Sequence, residues 1–230
     1  LTQDALDVLV VRVVRGRKGG EMLEESRQQP VTRPAPRATA EREGRRVKGT
    51  LIAARLRFLR ARGTEMAERV LNRLSADDQN TLRGMVLPSS WYSADLLQRL
   101  ELTAAAIVAN GDPKALFIEM GRYTAQTNLG PTGVQRAYVR ADDPHFLLAN
   151  VPRMYVTQHT DGNRTYEKTS ERAAVIRSHD GEPPRPEDCL TTIGWMGRAI
   201  EVSGGREVRV VEKLCRSKGS AHCEFHVSWS

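Results

Sequence analysis

Aromatic residues make up only 5% of this 230-residue chain, and cysteine occurs three times, at Cys189, Cys215 and Cys223. No run of eighteen apolar residues is present. The apolar stretch Val8 to Val14 is broken by Arg12 and followed by Arg15, Arg17 and Lys18, so no membrane span is expected. A secretory leader needs its basic residues before the apolar run, and here they come after it. A cytoplasmic location is therefore expected, in which three cysteines serve as metal ligands or buried thiols rather than disulfide partners. Also missing are a phosphate-cradling glycine loop, a His-Glu-x-x-His helix and a nucleophile-elbow pattern, so the chain does not read as an enzyme.

The formal charge is +7, but it is unevenly placed: residues 1 to 62 hold fifteen Lys or Arg against seven Asp or Glu, a surplus of eight. The rest of the chain is close to neutral. It offers neither a basic face nor interleaved aromatics for stacking on bases, so a nucleic-acid partner is not expected. Residues 1–46 read as a basic tail. An apolar start through Leu6, Leu9, Val10 and Val13 is interrupted by Gly16, Gly19 and Gly20, and a linker containing Pro30, Pro34 and Pro36 follows. The tail is an arm available to a protein partner.

Residues 47–230 read as a single α+β domain, helical over 47–150 and sheet with one helix over 151–230. Leu51, Ile52, Arg55, Leu56 and Leu59 recur at helical spacing, which predicts a helix from Gly49 to Arg62, stopped by Gly63. A short helix from Thr64 and another from Ser75 to Pro88 follow. Ser89 or Ser90 then caps a long helix through Leu96, Leu100 and Ile107, and Asp112-Pro113 opens one reaching Leu129. Five helices thus precede any strand. A hairpin is expected from Met154 to His159 and Thr165 to Lys168, turning at Asp161-Gly162, with a third strand over Arg172 to Arg177. A helix begins at Pro186. Its Gly194 and Gly197 would let it lie close on a mostly antiparallel sheet of four to five strands. Glu207 to Leu214 and Cys223 to Trp229 form the last hairpin.

Cys189, Glu212, Cys215 and Cys223 are spaced C-x22-E-x2-C-x7-C. Three thiolates and a carboxylate would close a tetrahedral zinc shell without a seat for catalytic water, a structural site clipping helix to hairpin. Core packing is the competing account, since Cys223 alternates with Phe225, Val227 and Trp229 on an apolar strand face. Strict alternation also puts Glu212 and Cys215 on opposite faces, so both reach one metal only if the strand bends or ends between them. His222 and His226 are rival ligands.

With these residues in place, the last forty residues resemble the 4-vinyl reductase domain, a small-molecule-binding module of sensor proteins. The resemblance rests on those four residues, on Ile193-Gly194-Trp195 and Met196-Gly197-Arg198, and on Gly219-Ser220-Ala221-His222-Cys223. It implies zinc at the four ligands. Val47-Lys48-Gly49-Thr50, Ser89-Ser90-Trp91-Tyr92, Gly121-Arg122-Tyr123-Thr124-Ala125 and the closing Cys-x-Phe-x-Val-x-Trp also resemble an uncharacterised paralogous family of myxobacteria. The wider fold group includes haem-based nitric oxide sensors and vesicle-tethering subunits, and implies ligand binding or partner assembly and a homodimer.

The expected function is a regulatory sensor domain that binds a small hydrophobic molecule between helices and sheet. The alternative is a non-catalytic interaction or scaffold protein resembling vesicle-tethering subunits. Pocket candidates are Trp91, Tyr92, Tyr123, His145, Phe146, Tyr155 and Trp195. His145 could ligate haem iron, but a histidine beside a helix start more often caps or faces solvent, so haem is not expected. His222 and Cys223, adjacent on a strand, point oppositely and cannot form a catalytic pair.

Overall fold

The computed structural model describes residues 44–179 and 185–230. The helix and linker expected before residue 44, and most of the loop expected before Pro186, lie outside the described residues.

Helix α1 (Gly49–Ala61) turns Ile52, Leu56 and Leu59 into the core, as their spacing predicts. Gly63, with φ of 122°, breaks the chain before α2 (Thr64–Leu71). The Ser75 hydroxyl accepts from the Asp78 amide at 3.2 Å to cap α3 (Ala76–Arg83). Helix α3 stops at Gly84, short of the expected Pro88. Helix α4 (Ala94–Val108) is capped by Ser93, which accepts from the Asp95 amide at 3.1 Å, and not by Ser89 or Ser90. The reason is a strand: β2 (Trp91–Ser93) pairs antiparallel with β1 (Arg46–Lys48), Val47 opposite Tyr92. Strands of three residues carry no readable period, so the expectation of five helices before any strand is corrected.

Asp112 and Asp143 cap the next two helices in the same way, each followed by a proline in the first turn. They accept from Ala115 N and Phe146 N at 2.9 Å, opening α5 (Pro113–Leu129) and α6 (Pro144–Gln158). Helix α6 replaces the strand expected over Met154 to His159. Pro152 looks like a boundary because it has no N–H and leaves the Leu148 carbonyl without its helical donor. The helix continues through it because Leu147, Leu148, Val151, Met154 and Tyr155 form one buried stripe. Local preference loses to that burial. The hairpin moves downstream accordingly: β3 (Asn163–Ser170) pairs with β4 (Ala173–His179), Ser170 opposite Ala173, and the Asp161-Gly162 turn only leads into it.

The remaining elements are α7 (Pro186–Val202), β5 (Arg209–Leu214) and β6 (Cys223–Ser228), as expected. The four long strands form an antiparallel sheet in the order β3-β4-β6-β5. The class is α+β. Inward-facing Ile176, Cys223, Phe225 and Val227 form a core with Met196, Ala199 and Ile200 of α7.

The glycines of α7 serve a different neighbour from the one expected. A Cβ at Gly194 would lie 1.9 Å from the Ile118 carbonyl oxygen, and a Cβ at Gly121 would lie 2.0 Å from that of Thr191. Helices α5 and α7 thus approach backbone to backbone, each supplying the glycine the other needs. Gly197 faces only side chains, its Cβ position being 3.6 Å from Arg122 Nη1 and 3.9 Å from Val210 Cγ2. Gly194→Ala and Gly121→Ala should therefore each destabilise by at least the ~1–3 kcal/mol of overpacked cores. Gly197→Ala should be neutral or stabilising by up to ~1 kcal/mol through helix propensity. Thermal melts of the three variants check this, and equal melting of all three would remove the close-contact account.

Candidate functional site

The C-terminal cysteines meet where α7 starts and the β5–β6 hairpin ends. Across the hairpin, Glu212 opposes Phe225 and Leu214 opposes Glu224, so Lys213 is an extra residue on β5. That bulge breaks the alternation that would set Glu212 and Cys215 on opposite faces. Cys215 then enters a 3-10 turn over Arg216–Lys218, closed by Gly219 with φ of 93°. One carboxylate oxygen of Glu212 and the sulfurs of Cys189, Cys215 and Cys223 all lie within 4.8 Å of one another.

Cys189 Sγ is 3.7 Å from Cys215 Sγ and 3.6 Å from Cys223 Sγ. Disulfide sulfurs sit ~2.05 Å apart, whereas two corners of a tetrahedron with ~2.3 Å zinc–sulfur bonds are ~3.8 Å apart. The spacing is that of a metal shell. The Arg216 amide donates to Cys223 Sγ at 3.3 Å. The neighbouring Cys189 thiol, together with that amide, holds Cys223 down at about 6, while Cys223 and burial push Cys189 up. Glu212 receives Lys218 Nζ on Oε2 at 3.3 Å, and its buried Oε1 has no hydrogen-bond partner. An open carboxylate oxygen facing three thiols suits a cation. The rival histidines are not among the clustered donors: His226 Nε2 is 2.8 Å from Glu224, and the His222 ring lies tilted against His179 with centroids 5.0 Å apart.

A separate cavity of about 160 Å³ lies among five helices, each turning one stripe toward it. Leu51 and Arg55 come from α1, and Ala94, Leu97, Gln98 and Glu101 from α4. Gly121, Thr124 and Asn128 come from α5, and Val151, Met154, Tyr155 and Gln158 from α6. Asp188, Thr191, Thr192, Trp195 and Met196 come from α7. These are the i, i+3, i+4, i+7 positions by which helices surround a common space.

Of the aromatic candidates, Tyr155 and Trp195 line the cavity and the others do not. Trp91 is exposed on β2 beneath Lys48 Nζ at 3.9 Å, and the Tyr92 hydroxyl accepts from Leu87 N at 2.9 Å. Tyr123 packs edge-on to Phe58, and Arg140 covers Phe146 at 3.6 Å. His145 ties the start of α6 to the β3–β4 turn. Its Nδ1 is 2.8 Å from the Tyr166 hydroxyl, and its Nε2 is 3.0 Å from both the Ser170 and Glu171 carbonyls. The histidine in the cavity wall is His159, stacked on Tyr155 at 4.1 Å.

Aromatic content pointed away from the polar residues that mark the cavity. Arg55 is buried, with Nε donating to Glu101 at 2.5 Å and Nη1 to Thr124 Oγ1 at 2.5 Å and the Met120 carbonyl at 3.1 Å. Burial raises the Glu101 carboxyl above its usual range, opposed by Arg55 and reinforced by Asp188 and Glu187. The available signal was an arginine inside the apolar stripe of α1.

Residues 46–230 match the family described as "Protein of unknown function (DUF2378)". No curated protein matches the chain by sequence. Among solved structures, an unliganded Fe(II) H-NOX protein from K. algicida superposes with a TM-score of 0.60 at 11% identity, covering 80% of this chain and 96% of that one. An H-NOX protein from S. oneidensis in the Fe(II)NO state gives 0.60 at 13%, covering 80% and 99%. A structure titled for heme distortion in the H-NOX family gives 0.59 at 12%, covering 80% and 95%.

One of these structures is described by its heme and the other two by an Fe(II) state, which corrects the expectation that haem has no place here. The His159 imidazole in the wall is the donor the cavity offers to an iron, while Arg45 and Arg185 there are already paired, with Asp188 and Asp95. The room would have to grow, since ~150 Å³ is the size that takes one benzene ring.

Elemental analysis of the purified chain should find close to one zinc per molecule. Cys215→Ala should lose it and melt at least 10 °C lower, at roughly 2–4 °C per kcal/mol of lost stability. A metal-free wild type with unchanged melting in that variant would leave three core thiols. Arg55→Leu and Glu101→Leu should each cost about 3–5 kcal/mol at neutral pH, and the double variant less than the worse single, because each single strands a buried charge. In Arg55→Leu the folded Glu101 titrates above its unfolded value, so stability should fall as pH rises through that window and recover on acidification. Denaturant unfolding across pH checks both signs.

Proposed function

The chain belongs to the DUF2378 family, and on that premise we propose that it is a regulatory small-molecule-binding domain of the H-NOX-like fold, with a structural zinc site. The observation that carries the reading is the cavity: five helices converge on it, yet side chains do not fill it and charged groups stay in its wall. Close-packed cores leave few voids larger than a water molecule. A space of this size, with polar groups in place, is kept for an occupant.

Zinc closes the start of α7 onto the hairpin, and Asp188, which lines the cavity, directly precedes the ligand Cys189. Occupancy would thus be felt in the first turn of a helix held by metal at the same turn. Three reduced thiols so close together suit a reducing, cytoplasmic setting. The reading is of a binder, not a catalyst: four protein ligands leave the metal no open position. Should haem be the occupant, it would supply a redox-active iron, with His159 as the cavity imidazole that would hold it.

Native mass spectrometry and an absorption spectrum of the purified chain should reveal a retained small molecule or uptake of an added one, with a higher melting temperature when it is bound. Thr192→Phe, which places a ring in the cavity, should abolish both. Equal uptake by that variant would move the site elsewhere, and no occupant under any condition would favour a scaffold role.

A further inference from the structure

The polar end of the cavity has two groups that the protein leaves unused. Asn128 is 4% exposed and Gln135 is 8% exposed, both line the cavity, and among the described residues neither carboxamide makes a hydrogen bond. Side chains so enclosed usually find a protein partner, and these two keep their amide atoms open to the cavity. Their placement is built. Gln135 N donates to the Asn128 carbonyl at 2.8 Å, so the chain after α5 folds back and sets the two residues side by side. That return passes Gly133, where a Cβ would stand 2.1 Å from the same Asn128 oxygen.

The charged residues around the cavity are already matched. Arg55 pairs with Glu101, Arg45 lies 3.1 Å from Asp188 and 3.3 Å from Asp161, and Arg185 lies 2.5 Å from Asp95. Arg164 rests over the Tyr155 ring at 4.1 Å. What the wall lacks is therefore not a counter-ion. It lacks a neutral partner that donates and accepts at once, the complement of a carboxamide. Beside that polar end stand Val151, Met154 and Trp195, and the volume suits one ring.

Resting on the reading of this cavity as a ligand site, we infer that its ligand is a neutral, single-ring molecule carrying a lactam-type edge, an N–H next to a C=O, held by Asn128 and Gln135. A cyclic amide presents both groups on one side, so one carboxamide can pair with it through two hydrogen bonds and the second can cap the remaining lone pair. An ionic ligand would break the existing pairs, and a purely apolar one would leave both amides stranded.

The test is calorimetric titration of the full zinc-bearing chain with three rings of similar size: 2-pyridone, which is neutral with a lactam edge, benzoate, which is anionic, and toluene, which is apolar. 2-Pyridone should bind tightest. Asn128→Leu and Gln135→Met should each weaken it about fivefold to tenfold, the equivalent of one lost hydrogen bond, while toluene binds those variants as well as or better than the wild type. Tighter binding of toluene or benzoate, or unchanged 2-pyridone affinity in both variants, overturns the inference and leaves the cavity as a ligand site of another kind. So does stoichiometric uptake of haem that 2-pyridone does not oppose. If none of the rings and no haem bind, the ligand-site reading falls with it. The comparison of the three rings on the wild-type chain stands even if a variant fails to fold.

Discussion

The backbone contact between α5 and α7 at Gly121 and Gly194 is the constraint on which the rest of the molecule depends. With Cβ positions only 1.9–2.0 Å from the opposing carbonyl oxygens, no other residue type fits at either point without moving a helix. Part of the cavity wall and one corner of the thiol cluster hang from these two helices. Thr124 and Asn128 reach the cavity from α5, one and two turns after Gly121. Asp188, Thr191, Thr192 and Trp195 reach it from α7, around Gly194, and Cys189 carries the same helix into the thiol cluster. A wider spacing of the pair would change the cavity and the cluster together.

Buried charge is the second organising feature, and stability alone does not account for it. Replacing a buried ion pair by well-packed apolar residues is often neutral or stabilising, so the Arg55–Glu101 pair is a poor way to hold α1 on α4. It does join α1, α4 and α5 through defined donors, since the same guanidinium reaches Thr124 and the Met120 carbonyl. An apolar stripe could slide by a turn, whereas this network has one register. A cavity needs walls that keep their positions when nothing fills it, and directional contacts supply that better than packing.

Much of the fold was legible in the sequence, and the failures share a cause. Where periodicity ran over two or more turns, as in α1, α5 and α7, the element could be read, and for α5 its Asp112 cap as well. Where the element was three residues long, as in β1 and β2, or where one proline interrupted a stripe, as at Pro152, local signals misled and long-range burial decided. The site divides in the same way. Cys189, Glu212, Cys215 and Cys223 were visible because few residue types bind zinc and all four lie in the last fifth of the chain. The bulge at Lys213 that reconciles Glu212 with Cys215 was not visible, because a register shift is a property of two strands and not of one. The cavity was sought among aromatics, yet its distinctive residues are Arg55, Glu101, Asn128 and Gln135. Glu101, Asn128 and Gln135 look like ordinary surface residues until the partner helices are in place, and Arg55 alone stands out, inside an apolar stripe.

Fold likeness at 11–13% identity shows the fold and leaves the use of the cavity to its lining. The lining combines apolar Val151, Met154 and Trp195 with paired charges and the carboxamides of Asn128 and Gln135. The first turn of α7 belongs to cavity and thiol cluster alike, through Asp188 and Cys189, so an occupant that displaces this turn also moves one corner of the cluster, and one that fits without displacing it leaves the cluster undisturbed.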